Sequence, residues 1–265
     1  MKSPFTALPL AALLFPAAVF AAGPAAGPFD GTWRTKLDSM KFEQKPDVYE
    51  IREGVFKCGT CVPPYSVIAD GIDHKVSGHS YYDTVAVREM DARTVTMTNK
   101  LGGKVIFEDT MMVSLDGKTL SDALKDHTGA KVATWTQLSS RVSAGPAGSH
   151  AVSGSWKIEH VPDASAAGTT VTYHMTADGL QSNYNGQTYD ARFDGQPVPV
   201  ANDPGRTMVA LKRVTPNVIE ETDTRDGKVT DVTLMTVAAD GKSIAVINND
   251  HLHGATTTFT MVRQH

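Results

Sequence analysis

Cys58 and Cys61 form the motif with the clearest capacity for chemistry, a Cys-x-x-Cys pair in the segment CGTCVPP. Two thiols at this spacing can close a local disulfide, act as a redox pair or supply two ligands to a zinc ion. The chain has no other cysteine to complete a zinc site, and Pro63 and Pro64 follow where a helix would be needed to lower a thiol pKa. We predict a disulfide that pins a loop, with a redox pair or a metal site as the alternatives.

The segment DHLH, residues 250–253, is a second candidate. On a β-strand, His251 and His253 would project from one face, as two imidazole ligands of a single metal ion would. Asp250 would face the opposite way, and an Asp-His pair recurs at residues 126–127. We therefore interpret the segment as a solvated hairpin, keep His251 and His253 as weak metal candidates, and predict no cofactor.

Residue sets that could catalyse a reaction are sparse. The sequence has no Gly-x-Ser-x-Gly motif, no phosphate-binding loop and no dinucleotide-binding fingerprint. Glu220-Glu221 and Glu108-Asp109 are adjacent in sequence, so on strands the two members of each pair would face opposite sides. We interpret both pairs as surface and rim charges. No catalytic residue is predicted, and a non-catalytic protein is favoured over an enzyme.

The charge of the chain argues against two classes of partner. Its formal net charge is −4 at pH 7, and it contains no run of basic residues. Nucleic acids and anionic membrane surfaces are bound through positive patches, so neither partner is predicted. With only two cysteines, the chain must obtain its core from apolar packing.

The N-terminal sequence has the features of a secretory signal peptide. One lysine precedes an apolar run over residues 8–20, and small residues follow that run. The run is short for a membrane span and contains Pro9 and Pro16. We predict that residues 1–21 are a cleaved signal peptide, that residues 22–28 are a spacer, and that the protein is secreted or periplasmic with no integral membrane span.

The rest of the chain repeats itself at an offset of about 124 positions, which indicates a tandem duplication. The repeats correspond to residues 29–142 and 153–265, and the Gly- and Ala-containing segment 143–152 is predicted to link them. The matched residues are Trp33 with Trp156, Tyr65 with Tyr189, Asp70-Gly71 with Asp194-Gly195, Asp116-Gly117-Lys118 with Asp240-Gly241-Lys242, and Trp135 with Phe259.

Both repeats have the pattern of antiparallel strands joined by tight turns. Thr94–Thr98 and Thr170–Met175 alternate polar and apolar residues, which is typical of half-buried strands. Asp-Gly and Gly-Gly pairs separate such runs, and glycine accepts the positive φ of hairpin turns. No later segment has an apolar stripe of helical period. The sequence therefore predicts an all-β protein of two closed barrels.

The motif Gly-x-Trp opens each repeat, at Gly31 and Trp33 and again at Gly154 and Trp156. It resembles the first signature of the lipocalins and the wider calycin group. That resemblance implies up-and-down antiparallel barrels in which the tryptophan closes one end and an arginine of the last strand stacks on it. Arg263 would play that part for Trp156. The Thr-Asp-Tyr signature of the same family is absent.

The resemblance also implies that a barrel binds a small apolar or amphipathic molecule. The inward side chains predicted for such a cavity are Val95, Met97, Tyr173, Met175 and Met235. Two alternatives stay open at this point: a structural or interaction protein of the cell envelope with solid barrels, and a calycin-type enzyme.

Overall fold

The computed structural model of the chain describes residues 27–264, so the predicted signal peptide (1–21) and most of the predicted spacer (22–28) lie outside the described residues. The described chain is all β, with twenty strands and one 3₁₀ turn at Ala166–Gly168. In this part of the chain, no helix is long and apolar enough to cross a membrane. The strands follow from the period-two alternation of polar and apolar residues in the sequence. Because alternate side chains of a strand face opposite sides of its sheet, such a strand buries its apolar face and leaves its polar face outside.

The strands of the first half are β1 (Gly31–Glu43), β2 (Asp47–Arg52), β3 (Val55–Cys58), β4 (Tyr65–Ile68), β5 (His74–Lys75), β6 (Thr84–Glu89), β7 (Thr94–Leu101), β8 (Lys104–Val113), β9 (Thr119–Asp126) and β10 (Ala133–Ala144). Those of the second half are β11 (Gly154–Ala164), β12 (Thr170–Met175), β13 (Gly179–Tyr184), β14 (Gln187–Arg192), β15 (Val198–Pro199), β16 (Met208–Thr215), β17 (Val218–Arg225), β18 (Lys228–Val237), β19 (Ser243–Asp250) and β20 (Ala255–Arg263).

These strands form two ten-stranded antiparallel sheets, each rolled into a nearly closed barrel. The first barrel has the order β4-β3-β2-β11-β10-β9-β8-β7-β6-β5, and the second has the order β14-β13-β12-β1-β20-β19-β18-β17-β16-β15. Single bridges close part of the remaining gap, for example between Asp70 and Arg88 in the first barrel and between Thr188 and Ala201 in the second. The all-β fold with two antiparallel barrels is the one that the sequence predicts.

The two halves exchange their first strands. Strand β1 pairs with β12 and β20 of the second barrel, where Trp33 lies opposite Arg263. Strand β11 pairs with β10 and β2 of the first barrel, where Trp156 lies opposite Arg141. Each barrel is therefore completed by one strand from the other half of the chain.

This exchange differs from an arrangement in which residues 29–142 and 153–265 each close their own barrel. Its local cause lies in the predicted linker, residues 143–152. Strands β10 and β11 form a hairpin around this segment, with Ala144 opposite Gly154. Because β11 stays beside β10, it enters the first barrel, and the place between β12 and β20 is occupied by β1.

Each exchanged strand brings its tryptophan into a core. Trp33 and Trp156 are fully buried, and their indole N–H groups donate to the carbonyls of Phe29 and Val152, both at 2.8 Å. Large aromatic side chains supply much of the burial energy of a core, and a buried indole N–H requires an acceptor. The two cores are built around these tryptophans in the same way.

An arginine of the neighbouring strand stacks on each indole, from β20 in the second barrel and from β10 in the first. The Arg263 Cζ atom lies 4.1 Å from the ring centroid of Trp33, and the Arg141 Cζ atom lies 3.9 Å from that of Trp156. The prediction that Arg263 stacks on Trp156 is therefore wrong. The strand exchange is the reason, because it places Trp33, and not Trp156, beside the strand that carries Arg263.

The repeated Asp-Gly-Lys turns hold these arginines in place. The Nε atom of Arg141 donates to the Gly117 carbonyl at 2.5 Å, and that of Arg263 donates to the Gly241 carbonyl at 2.8 Å. The other two nitrogens of each guanidinium donate to carbonyls of the segment just before the tryptophan. A turn that occurs twice in the sequence thus positions a cation over a tryptophan twice in the structure.

The glycines of the Gly-x-Trp motifs make room for the same guanidinium groups. Gly31 and Gly154 have φ values of +119° and +135°, which few residues other than glycine adopt. A Cβ atom would lie 2.7 Å from Nη1 of Arg263 at the first position and 2.8 Å from Nη1 of Arg141 at the second. The motif and the arginine therefore form one structural unit.

Candidate ligand-binding site

A half-open cavity of about 570 Å³ lies in the second barrel and extends to the first. This volume lies within the range of small-molecule sites, which is roughly 300–1,000 Å³. Strand β1 forms part of the wall, so the site depends on the strand exchange. The apolar wall includes Phe42, Val171, Met235, Val246, Phe259 and Met261.

The first barrel borders this cavity where the two barrels meet, and we call this border the mouth. Tyr81 and Trp135 of the first barrel line it. The Tyr81 ring packs against Gly205 so closely that a Cβ atom there would lie 2.4 Å from it. The Tyr81 hydroxyl is 3.4 Å from Thr207 Oγ1, and the Arg225 guanidinium lies 5.0 Å from the centre of the Tyr81 ring.

Strand β17 carries charged groups into the cavity. Ile219 is fully buried in the core, and alternation along the strand places Glu221, Asp223 and Arg225 on the same inward face. Glu220 lies on the opposite face. One strand therefore presents two carboxyls and one guanidinium to the same interior.

Glu221 accepts a hydrogen bond inside the barrel. The Tyr189 hydroxyl donates to Glu221 Oε2 at 2.5 Å. Burial raises the pKa of Glu221, and the bond from Tyr189 opposes that rise. Burial, and then the nearby Glu221 carboxylate, raise the pKa of Tyr189 well above its usual value. The phenol therefore stays a neutral donor. Tyr173 similarly donates to Met235 Sδ at 3.4 Å.

Asp223 has a buried oxygen, Oδ1, for which no other described residue supplies a hydrogen-bond partner. Burial raises the pKa of Asp223 to about 8, the carboxylates of Glu221 and Asp231 add to the rise, and Arg225 lowers it. At pH 7 the group is therefore largely protonated. A buried polar atom without a partner costs stability, so the oxygen would gain from a hydrogen-bond donor on a ligand.

The first barrel is chemically different at the same positions. Met97 and Asn99 stand where the second repeat has Glu221 and Asp223. The Tyr65 hydroxyl donates to Met97 Sδ at 3.4 Å, in the place of the tyrosine–glutamate bond of the second barrel. The duplication therefore kept the tyrosine and changed its acceptor.

Aromatic side chains and two acids occupy the interior of the first barrel. His79 stacks on Tyr82 with ring centroids 4.4 Å apart and meets Tyr65 edge-on at 5.5 Å. Burial raises the pKa of Asp109 to about 7 and that of Asp122 well above its usual value. The Oδ1 atom of each acid has no partner in the described part of the chain.

The cysteine pair belongs to the scaffold of the first barrel. Cys58 and Cys61 are joined by a disulfide, and Cys58 is buried in the core. The bridge closes the loop after β3, where the Thr60 hydroxyl contacts Asp47 Oδ1 at 3.4 Å. The second barrel has no counterpart of this bridge, and the cavity lies in the second barrel.

The two candidate metal-binding histidines, His251 and His253, lie in the turn after β19, so they do not share one face of a strand. His253 Nδ1 is 2.6 Å from Asp250 Oδ2, and this hydrogen bond raises the pKa of His253. Between residues 27 and 264, no group of three or more His, Cys, Asp or Glu side chains could hold a metal ion.

The residues predicted to line a cavity are divided between the two barrels. Tyr173 and Met235 line the cavity of the second barrel, and Met175 packs against the core of the same barrel. Val95 and Met97 belong to the core of the first barrel. The sequence pattern identified inward positions without indicating that the cavity lies in the second barrel.

The interpretation of both acid pairs as surface and rim charges is wrong for one member of each pair, Glu221 and Asp109. Glu221 lines the cavity, and Asp109 is inside the first barrel with its Oδ1 atom buried. The available signal was alternation from a neighbouring core residue, Ile219 before Glu221 and Met111 after Asp109. Adjacent acids do face opposite ways, but one member of each pair faces inward.

No protein-family model matches the chain, and no curated protein or solved structure matches it.

Proposed function

We propose that the protein binds a small amphipathic molecule in the cavity of the second barrel. The observation that carries the proposal is the cavity of about 570 Å³, with apolar walls and polar groups on one strand. Such sites hold an apolar body by burial and orient it through a few polar contacts. Tyr189, Glu221 and Asp223 would supply those contacts.

The resemblance to lipocalins supports this proposal. Each barrel combines an up-and-down antiparallel sheet with a buried tryptophan from a Gly-x-Trp motif and an arginine stacked on the indole. In lipocalins these features accompany a ligand held inside the barrel. We propose that the protein is lipocalin-like and that its signal-peptide-like N-terminus directs it to a secreted or periplasmic location.

A dye-displacement experiment with a filled cavity tests the proposal. Val246 is a buried wall residue on β19, whereas its neighbour Ile247 is exposed on the opposite face. We expect the neutral dye N-phenyl-1-naphthylamine to bind the wild-type protein and the I247F variant, and to bind V246F far less. Native mass spectrometry of freshly purified protein should show co-purifying small molecules in the wild-type protein.

Equal dye binding by V246F and I247F would place the dye outside the cavity and contradict the proposal. Absence of both dye binding and co-purifying molecules from the wild-type protein would favour the second candidate function. That candidate is a non-catalytic envelope interaction protein with solid barrels. The aromatic packing of Tyr65, His79 and Tyr82 inside the first barrel is the observation that favours it.

A further inference from the structure

The charged side chains that line the cavity are mainly acidic. Among the described residues, the charged groups that line it are Asp203, Glu221 and Asp223 together with one cation, Arg225. The acids come from two segments, β17 and the loop before β16, so their clustering is not the effect of one strand alone. The cavity therefore has an excess of groups that accept hydrogen bonds and, when ionised, carry negative charge.

Arg225 does not satisfy these acids because other protein groups already engage it. Its Nε atom donates to Thr207 Oγ1 at 2.9 Å, and its Nη2 atom lies 4.0 Å from Asp231 Oδ2. The guanidinium also faces the Tyr81 ring at 5.0 Å. Arg225 is thus held at the mouth, and Asp223 Oδ1 still lacks a partner among the described residues.

The other barrel provides an internal comparison. The positions of Glu221 and Asp223 are uncharged in the first barrel, where they are Met97 and Asn99. In the first barrel, the Tyr65 hydroxyl donates to Met97, and the rings of His79 and Tyr82 pack beside Tyr65. The first barrel has interior acids too, but these are Asp109 on β8 and Asp122 on β9, so an acid pair on one strand is particular to the barrel with the cavity.

We propose that the ligand carries a protonated amine that lies between Glu221 and Asp223, with its apolar body against the barrel wall. This inference rests on the proposed ligand-binding function and specifies the class of ligand. An ammonium group supplies the donor that Asp223 Oδ1 lacks and the charge that the acidic lining favours. The rings of Tyr173, Tyr189 and Phe259 line the same cavity and offer aromatic faces that attract cations.

The ionisation of Asp223 makes the proposal sensitive to pH. The groups that face Asp223 are Glu221 and Arg225 on its own strand, Asp231 on β18 and Asp203 in the loop before β16. In the absence of a ligand, the pKa of Asp223 is about 8. An ammonium ligand favours the ionised carboxylate, so Asp223 should release a proton when the ligand binds at pH 7. The affinity of the ligand should rise from pH 6 to pH 9, while the amine itself stays protonated.

Three probes with one apolar body test this inference on the full chain: 4-phenylbutylamine, 4-phenylbutanol and 4-phenylbutanoate. Isothermal titration calorimetry in two buffers of different ionisation enthalpy gives both the affinity and the proton release. We expect the amine to bind the wild-type protein about tenfold or more tightly than the alcohol. The amine preference should disappear in the E221Q/D223N variant and persist in E220Q, whose altered residue faces away from the cavity.

Tighter binding of the alcohol or the carboxylate would overturn the amine assignment while leaving the cavity as a binding site. Failure of all three probes to bind or to displace the dye would overturn the assignment together with the proposed function. Should E221Q/D223N not fold, proton release by the wild-type protein decides: a release at pH 7 that vanishes at pH 9.5 supports the amine, and no release at pH 7 contradicts it.

Discussion

The guanidinium of Arg263 lies over the indole of Trp33, with Cζ 4.1 Å from the ring centroid. The two residues belong to the last and first described strands, and they are directly paired across β20 and β1. This contact closes the second barrel with a strand from the first half of the chain. The barrels are consequently folded as an interdependent pair, and the stability of one should depend on residues of the other half.

Loss of the Arg263 side chain should destabilise the protein strongly. Arg263 donates to the carbonyls of Gly241, Asp30 and Pro28, which an alanine would leave without their donor. We expect R263A to lower the free energy of unfolding by about 2–4 kcal/mol in urea titrations. R213A is the control, because Arg213 is exposed and its Cζ atom lies 5.6 Å from the centre of the Phe193 ring. We expect this variant to change the free energy of unfolding by less than about 0.5 kcal/mol. Similar losses in both variants would contradict the structural role of Arg263.

Engineered cysteine pairs should report the strand exchange directly. Thr32 of β1 lies opposite Thr172 of β12, with hydroxyl oxygens 3.0 Å apart. Without exchange, Thr32 would instead lie opposite Val48, which the structure pairs with Ser155. We expect T32C/T172C to form an intramolecular disulfide under mild oxidation, and T32C/V48C to form none, as measured by peptide mapping. The reverse result would show that each repeat closes its own barrel.

The strand content and turns were predictable because they depend on local patterns, whereas the exchange was not. Duplicated strands offer chemically similar edges, so the pairing preferences of β1 for its own barrel and for the other barrel are nearly the same. The choice is made by the hairpin around residues 143–152, which the Gly- and Ala-containing sequence predicted only to be a linker between the repeats. The equivalence of Arg141 to Arg263 was hidden in the sequence for a related reason. The turn at 127–132 is two residues longer than the turn at 251–254, so the offset between the two repeats changes after this turn.

The buried Asp109 should make the first barrel less stable as the pH rises. In the unfolded chain this carboxyl ionises near a pKa of about 4, but burial in the folded chain raises its pKa to about 7. Its contribution to stability is therefore present below pH 4 and is lost as the pH rises toward 7. We expect D109N to match the wild-type protein most closely at pH 4 and to exceed its free energy of unfolding by about 4 kcal/mol at pH 8.

Glu108 is the matched control for this prediction. It precedes Asp109 and faces outward, and its hydrogen bond to His127 at 2.9 Å lowers its pKa. The contribution of Glu108 to stability therefore depends on pH in the opposite way. It is present at neutral pH and is lost as the pH falls through the pKa of Glu108 in the folded chain. Thermal denaturation of E108Q between pH 4 and pH 8 should show no stabilisation at high pH. A gain equal to that of D109N would attribute the effect to net charge and not to burial.

The polar side of the candidate site was only partly predictable from the sequence. Tyr173 and Met235 were identified from alternation, but Glu221 was assigned to the surface because adjacent acids were judged as a pair. Counting from the core residue Ile219 would have placed Glu221 inside. The contribution of Tyr81 could not have been found in this way, because contacts between two barrels leave no periodic pattern in either repeat.

Tyr81 should control how fast a ligand leaves the cavity. Its ring lies at the mouth against Gly205, faces Arg225 and comes from the first barrel, so it can affect binding without forming part of the second barrel's core. We expect Y81A to raise the dissociation rate of N-phenyl-1-naphthylamine by about tenfold and to lower the free energy of unfolding by about 2 kcal/mol, because the ring also packs against Gly205 and Phe107. The neighbouring variant Y82A removes a ring that stacks on His79 inside the first barrel. It should lower stability by about 3 kcal/mol and leave the dissociation rate nearly unchanged. Stopped-flow fluorescence and urea titration of the same two proteins separate these effects, and an unchanged dissociation rate in Y81A would show that the ligand does not pass Tyr81.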